Sequence, residues 1–186
     1  MQSYLVLLLA TIGISHSQVI HTGKCPQVQP LQNFDAASYL GTWYESQRYL
    51  MVFEIGTRCN SATYSLNTNG SVDVLNKCIF NIGGITQIIQ GTANLVGDGV
   101  GQLDVYFPTQ NAEANYYVIG SDYKNWAAVF SCRELPLNLH SRFAWVLTRE
   151  RDASEEHIAA ARAALESQSL ETSPLNTVNH ENCGSI

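Results

Sequence analysis

Residues 33–44 read NFDAASYLGTWY. Phe34 and Tyr39 are among the apolar members of a short amphipathic turn. Gly41 follows, a residue that adopts backbone angles closed to others, and Trp43 comes two positions later. An indole has a large apolar body and one N–H donor, so it is most stable at the end of a core with that donor bonded. We therefore expect Trp43 to close one end of a hydrophobic interior.

The length and the charge of the chain limit the classes of function that it can have. The chain has 186 residues, which is enough for one domain with a sizeable core or an internal cavity. The formal net charge is -6, and lysine and arginine together number only ten. Because nucleic-acid binding needs a basic surface, the composition predicts no nucleic acid among the partners.

The N-terminal residues are typical of a secretion signal. Residues 4–14 form an apolar run that is too short to span a bilayer, and the small residues Ser15 and Ser17 follow it. This pattern predicts a signal peptide over residues 1–17, and no second long apolar segment follows. We therefore expect residues 18–186 to form a single domain of a secreted, extracellular protein.

Most of the remaining chain alternates between strand-like runs and turn residues. Seven runs are rich in Val, Ile, Thr, Tyr and Phe and are bounded by Gly, Asn, Asp or Pro: residues 59–66, 71–80, 85–93, 101–107, 115–120, 125–132 and 140–149. Their even spacing predicts an antiparallel up-and-down sheet. Residues 175–179 add a short predicted edge strand.

One segment near the C-terminus has the pattern of a helix. Residues 152–167 are rich in alanine, with Asp152 or Ser154 as the N-cap. Ile158 and Leu165 fall on one face at helical spacing. We expect this face to dock on the outside of the sheet.

Alternation within the runs indicates which side chains point inward. The inner face would carry Phe143, Trp145 and Leu147 in the last run and Leu103, Val105 and Phe107 in the fourth. In the run 71–80, Asn76 and Cys78 share a face with Val72 and Val74, which would place an amide and a thiol inside. A buried Asn needs hydrogen-bond partners, which a bound ligand, a neighbouring strand or a buried water would supply.

The cysteines and one glycosylation motif fit an oxidising compartment. Five cysteines stand at positions 25, 59, 78, 132 and 183, so that four would pair and one would remain, in a connectivity that the spacing does not decide. Asn69-Gly70-Ser71 is an N-glycosylation acceptor, and Asn-Gly is also a strong hairpin-turn signal. Asn69 is therefore expected at an exposed turn.

Three motifs together resemble the lipocalin family. They are the stretch from Asn33 to Glu45 containing Gly41-Thr42-Trp43, the sequence SDYKNW at residues 121–126 and the sequence FAWVLTR at residues 143–149. Within the family, the chain is most similar to the branch of apolipoprotein D, Lazarillo and the insect bilin-binding proteins, over about residues 24–183. The resemblance implies an all-β fold, an eight-stranded antiparallel up-and-down barrel with a C-terminal α-helix packed outside.

The resemblance also implies structural roles at the closed end of the barrel and a disulfide pattern. Arg149 would stack on Trp43 as a cation–π pair, with Gly41 and Asp122 as further structural residues. The disulfides would join Cys25 to Cys132 and Cys59 to Cys183. Cys78 has no counterpart in that pattern.

The strand faces that line the family's cavity carry over onto fourteen positions. The implied ligand-binding residues are Ala62, Tyr64, Asn76, Cys78, Gln87, Ile89, Val105, Phe107, Tyr116, Val118, Val129, Ser131, Phe143 and Trp145. They describe a mainly apolar, aromatic cup with a few polar groups for orientation. Tyr64 and Asn76 are the best candidates for hydrogen bonds to a ligand.

The function implied is that of a carrier and not of an enzyme. The expected cargo is a small hydrophobic molecule: a lipid, a sterol, a retinoid-like compound, or a tetrapyrrole or carotenoid pigment. No cofactor is required, although a bilin or carotenoid is an alternative cargo, with Cys78 available for covalent attachment. A further alternative is an isomerase of the prostaglandin D synthase type, whose cavity cysteine lies on a different strand. The histidines are scattered, and no metal-ligand spacing is present.

An apolar loop follows the strand that begins at Gly41. Val52, Phe53 and Ile55, with Tyr49, Leu50 and Met51 beside them, form an apolar cluster at the expected open end. This cluster is interpreted as a lid over the ligand, and contact with a lipoprotein or membrane surface is the alternative.

Overall fold

Eight antiparallel strands close on themselves in the computed structural model of the chain, which describes residues 19–184 and 186. The elements are β1 (Val19–Thr22), α1 (Ala36–Tyr39), β2 (Gly41–Arg48), β3 (Thr57–Leu66), β4 (Val72–Phe80), β5 (Thr86–Leu95), β6 (Gln102–Phe107), β7 (Ala112–Ser121), β8 (Trp126–Leu135), β9 (Leu139–Thr148), α2 (Glu155–Ser167) and β10 (Asn176–Thr177). Strands β2 to β9 pair with their neighbours in chain order, and β9 pairs with β2 to complete the barrel. The predicted signal peptide, residues 1–17, lies outside the described residues.

All seven predicted runs are strands, and the predicted edge strand is present as β10, which pairs with β2. The strand ends differ from the prediction by up to three residues because strand pairing continues into the turns, as in β7. The sequence did not indicate β1, a four-residue strand. It pairs with the first residues of β9, which precede those that pair with β2. Among the described residues, no helix combines the length and apolar character that crossing a bilayer requires.

Helix α2 lies against the outer wall formed by β7, β8 and β9. Its N-cap is Ser154, whose side chain accepts a hydrogen bond from the backbone N–H of His157. Ala161 and Leu165 are fully buried in this interface. The helix approaches closely because β7 has Gly120 at the contact, where a Cβ atom would lie 3.0 Å from Cβ of Ala164.

Helix packing buries both faces of β8 and β9, whereas alternation had indicated one buried face. Phe130, Ala144 and Val146 point outward from the barrel and are fully buried beneath the helix and its flanking segments. Trp145 and Leu147 point the other way. The barrel wall therefore separates two apolar clusters, one inside it and one under α2.

Two disulfides tie the ends of the chain to this wall. Cys25 joins the N-terminal arm to Cys132 on β8, and Cys183 joins the C-terminal tail to Cys59 on β3. Cys78 is an unpaired, buried thiol on β4. Asn69 is exposed in the turn between β3 and β4.

Candidate ligand-binding site

The closed end of the barrel is built around Trp43. Its side chain is fully buried, and its Nε1–H donates to the carbonyl oxygen of Tyr39 at 2.9 Å. The guanidinium of Arg149 stacks on the indole and donates to the backbone oxygens of Leu40 and Thr42, both at 2.9 Å. Gly41 has φ +95°, a conformation that favours glycine, and a Cβ atom there would meet the guanidinium.

The turn between β7 and β8 is held by Asp122 at the same end. Its carboxylate accepts hydrogen bonds from the backbone N–H groups of Lys124, Asn125 and Trp126, at 2.8 to 3.1 Å. Together with Trp43 and Arg149, this turn forms what we call the floor of the barrel.

The strand register places the fourteen side chains assigned to a cavity on one continuous inner face. Ala62 lies opposite Asn76, and Asn76 lies opposite Ile89. Val129 lies opposite both Val118 and Trp145. The remaining members are in phase with these along their strands: Tyr64, Cys78, Gln87, Val105, Phe107, Tyr116, Ser131 and Phe143.

The inner face is apolar but is not packed solid. Phe107, Tyr116 and Trp145 are only partly buried although they pack against the inner cluster. Because these side chains point toward the barrel axis, the surface that they leave exposed faces the barrel interior. The interior of the barrel therefore has exposed aromatic surface.

Three tyrosine hydroxyls are bonded to one another just above the floor. Tyr39 and Tyr64 each lie 2.9 Å, oxygen to oxygen, from the hydroxyl of Tyr116. Burial raises the pKa of all three side chains, so they are neutral at physiological pH. The sequence predicts a hydrogen bond from Tyr64 to a ligand, but in the structure the Tyr64 hydroxyl donates to the hydroxyl of Tyr116.

An ion-pair cluster that sequence reasoning missed lies farther up the barrel. The Arg48 guanidinium contacts Glu45 Oε2 through Nη1 at 3.1 Å and Glu54 Oε2 through Nε at 2.7 Å. Its Nη2 donates to the backbone oxygen of Glu54 at 3.0 Å and to Oγ1 of Thr57 at 3.3 Å. We refer to Glu45, Arg48 and Glu54 as the charged cluster.

A β-bulge explains why the sequence pattern did not predict the charged cluster. Alternation from Trp43 places Glu45 inside and Arg48 outside, but the pairing of β2 with β9 shifts between Glu45 and Gln47. The shift sets Arg48 opposite Trp145, on the inner face. Glu54 comes from a loop, where alternation gives no direction. Only the inward position of Glu45 carried a sequence signal.

Burial dominates the electrostatics of this region. It raises the pKa of Glu54 well above its usual range, and the neighbouring Glu45 charge adds to the effect while Arg48 opposes it. Burial also raises the pKa of Glu45. The thiol of Cys78 has its pKa raised to about 11, first by burial and then by the charges of Glu54 and Glu45. It is a neutral thiol at pH 7 and donates to Gln87 Oε1 at 3.6 Å.

Residues 52–55, which we call the lid segment, lie in the loop that joins β2 to β3 at the open end. The Phe53 ring lies 6.2 Å from that of Phe143, which stacks on Trp145 at 6.3 Å. Val52, Phe53 and Ile55 are each more than half exposed. The sequence predicts that Tyr49 and Met51 lie beside these apolar residues. This prediction is wrong, because both side chains are buried in the outer cluster under α2.

Other places in the described part of the chain fit an apolar ligand or a metal less well. Grooves of about 430 Å³ beside α2 and about 610 Å³ beside the turn between β6 and β7 lie outside the barrel and are lined largely by charged and amide side chains. Cys59, His180 and Cys183 lie close enough to share a metal ion, but the two sulfurs are joined in a disulfide.

Comparison with known proteins agrees with this architecture. The family model of the lipocalin-like domain matches residues 34–180. Apolipoprotein D of Mus musculus is 32% identical over 183 residues, which cover 98% of this chain and 96% of the relative. The bilin-binding protein of Pieris brassicae is 31% identical over 150 residues, 78% of each chain.

A solved structure shows the same fold. Insecticyanin from the tobacco hornworm Manduca sexta superimposes with a TM-score of 0.78 at 21% identity, covering 89% of this chain and 90% of its own. The family resemblance read from the three motifs is thereby confirmed. The chain belongs to the lipocalin family.

Proposed function

We propose that this protein is a secreted carrier that holds one small hydrophobic molecule in the open half of the barrel. The observation that carries the proposal is the partly exposed aromatic surface of Phe107 and Trp145 on the inner face of the barrel. Burying a lipid's apolar surface there contributes roughly 25 cal/mol per Å². The N-terminal sequence pattern and the two disulfides support an extracellular location.

A pigment of the bilin or carotenoid kind is the narrower version of this proposal, supported by the similarity to a bilin-binding protein. Cys78 would then lie beside the pigment without a covalent bond, because attachment requires a thiolate and the pKa of this thiol is about 11. The same property argues against an isomerase that uses Cys78 as its nucleophile.

Native mass spectrometry with an absorption spectrum, on protein from its natural source, tests the proposal. We expect one small molecule per chain that is released by organic solvent, with a visible band if it is a pigment. Protein that carries no small molecule, and that also binds no apolar probe after delipidation, would contradict the carrier function.

A second role, contact with a lipid surface, is favoured by the loop tips at the open end. Ile82 is 91% exposed and Leu137 is 90% exposed, on two turns that flank the lid segment at the same end of the barrel. Exposed apolar side chains on several loops at one end suit shallow insertion into lipid.

Flotation with phosphatidylcholine vesicles tests this second role. The double variant I82S/L137S should float less than the wild type, whereas L66S, which removes an exposed leucine at the closed end, should float equally. Equal flotation of all three proteins would contradict the role and leave ligand carriage untouched.

A further inference from the structure

We propose that the barrel selects ligands whose polar end is a hydrogen-bond donor or a cation, and that it discriminates against ligands ending in a carboxylate. The inference rests on the proposed carrier function and specifies the chemistry of its ligand. It is carried by Glu45 and Arg48 on the inner face of β2, by Glu54 of the lid segment, and by Asn76 on the inner face of β4.

The guanidinium of Arg48 has little to offer a ligand carboxylate. Each of its three nitrogens already has an oxygen of this protein within 3.3 Å, namely the carboxylates of Glu45 and Glu54, the backbone oxygen of Glu54 and the hydroxyl of Thr57. Arg48 is itself buried, so it cannot turn outward to meet an arriving anion without breaking these contacts. A carboxylate would have to compete with two that are already in place.

The charge balance of the cluster points the same way. Two carboxyl groups share one guanidinium, and all three side chains are at most 16% exposed. An arriving carboxylate would place a third carboxyl group beside one guanidinium in a region of low dielectric, whereas an ammonium or hydroxyl group could donate to the carboxyl oxygens already there. A carboxylic ligand would therefore have to bind in its protonated form.

In the part of the chain that the structure describes, the side-chain amide of Asn76 also lacks a hydrogen-bond donor for its oxygen. Oδ1 of Asn76 is buried and accepts no hydrogen bond from any residue that the structure describes. Asn76 lies opposite Ala62 on one side and Ile89 on the other, so no polar side chain faces it across the neighbouring strands. A hydroxyl or N–H group on the ligand would satisfy this oxygen, which costs free energy while it is unpaired.

A chain-matched ligand series tests the inference. Hexadecylamine, hexadecanol and hexadecanoate share one apolar tail and differ only in the head group. Each is titrated at about pH 7.5 against a neutral fluorescent probe bound to the delipidated, disulfide-bonded protein. We expect the amine and the alcohol to displace the probe at concentrations at least about tenfold lower than hexadecanoate, since tenfold is the effect of about one unmatched polar interaction. Displacement by hexadecanoate at equal or lower concentration would overturn the inference.

Variants connect the preference to the named residues. E54Q and E45Q each replace a carboxyl group by an amide of the same shape, and each should lower the affinity ratio of amine to carboxylate about tenfold. E113Q, which changes an exposed glutamate on the outer face, should leave the ratio unchanged. N76L should weaken binding of the alcohol relative to an unsubstituted hydrocarbon tail.

The outcomes separate the two proposals. Near-ultraviolet circular dichroism shows which variants keep the native fold, and N76D, which adds an inward carboxylate, should raise the amine preference further if a glutamate variant does not fold. A ratio that stays constant across E54Q, E45Q and N76D would overturn the inference alone. A wild-type protein that binds neither the probe nor any of the three chains would overturn the carrier function.

Discussion

The guanidinium carbon of Arg149 lies 3.7 Å from the centroid of the Trp43 ring, on the underside of the barrel. The same guanidinium donates to backbone oxygens of Ser38 and Leu40 at the end of α1 and of Thr42 in β2. One side chain thus links the last barrel strand to the first and to the helix before it. This arrangement makes the motif around Trp43 a structural element and leaves ligand contacts to the other half of the barrel.

Replacing Arg149 should therefore reduce stability without changing ligand affinity. R149M removes the cation–π contact and several charge-assisted hydrogen bonds, and we expect it to lower the free energy of unfolding by about 2–4 kcal/mol. R149K keeps the charge but not the planar fork, so it should recover only part of the loss. Urea unfolding gives the stabilities, and probe titration gives the affinities. Wild-type stability with weakened binding in R149M would contradict this assignment.

The stability contribution of Glu54 should depend on pH with a defined sign. Burial raises the pKa of Glu54 above its usual value of 4.5. The folded state therefore holds this proton more tightly than the unfolded chain, and the resulting stabilisation is complete below pH 4.5 and is lost as the pH rises through the raised pKa. E54Q cannot ionise at this position, so its stability relative to the wild type should increase from pH 4.5 to pH 8. A constant difference would show that the pKa of Glu54 is not raised on folding, and a declining one would show that it is lowered.

The thiol of Cys78 should react slowly with alkylating reagents. With a pKa of about 11, its thiolate fraction at about pH 8 is roughly 100-fold below that of an ordinary cysteine. We expect iodoacetamide to modify the native, delipidated protein at least about 100 times more slowly than it modifies the reduced, unfolded chain. Native-state labelling at the rate of a free thiol would restore Cys78 as a candidate nucleophile.

The lid segment should control how long a ligand stays bound. Val52 and Phe53 belong to the loop at the open end, where the Phe53 ring packs against that of Phe143, which stacks on Trp145. V52S/F53S should accelerate probe dissociation in stopped-flow measurements while leaving the association rate nearly unchanged. L66S, at the opposite end, is the matched control. Equal dissociation rates in the two variants would remove the lid role.

Local patterns predicted the inner face of the barrel but not its charged cluster. The order of Phe143, Trp145 and Leu147 follows from strict two-residue alternation, which holds in β9 because its inner-face pairing with β8 is regular. Arg48 reverses its direction because one residue is inserted in β2, and nothing in the local sequence marks that bulge. The Glu54 side chain reaches Arg48 from a loop, so its position depends on how β2 and β3 are joined in space.

Packing against distant segments is a second limit on what the sequence could show. Alternation opposite Phe143 and Trp145 predicts an outer face for Ala144, but the complete burial of Ala144 and Val146 depends on α2, which follows in the chain and covers that face. Tyr49 and Met51 were grouped with the lid segment because they are its neighbours in sequence. In the fold they pack in the outer cluster. This packing depends on where the C-terminal segment lies.

Tryptophan quenching tests most directly whether a ligand lies in the barrel interior. Trp145 is on the inner face, whereas Trp126 packs in the outer cluster with α2. A brominated alkyl probe, which quenches tryptophan only at contact distance, should quench the wild type and W126F with saturation at one probe per chain, and W145F should lose most of the quenching while still binding the probe. Quenching that persists in W145F and disappears in W126F would place the ligand outside the barrel and contradict the account.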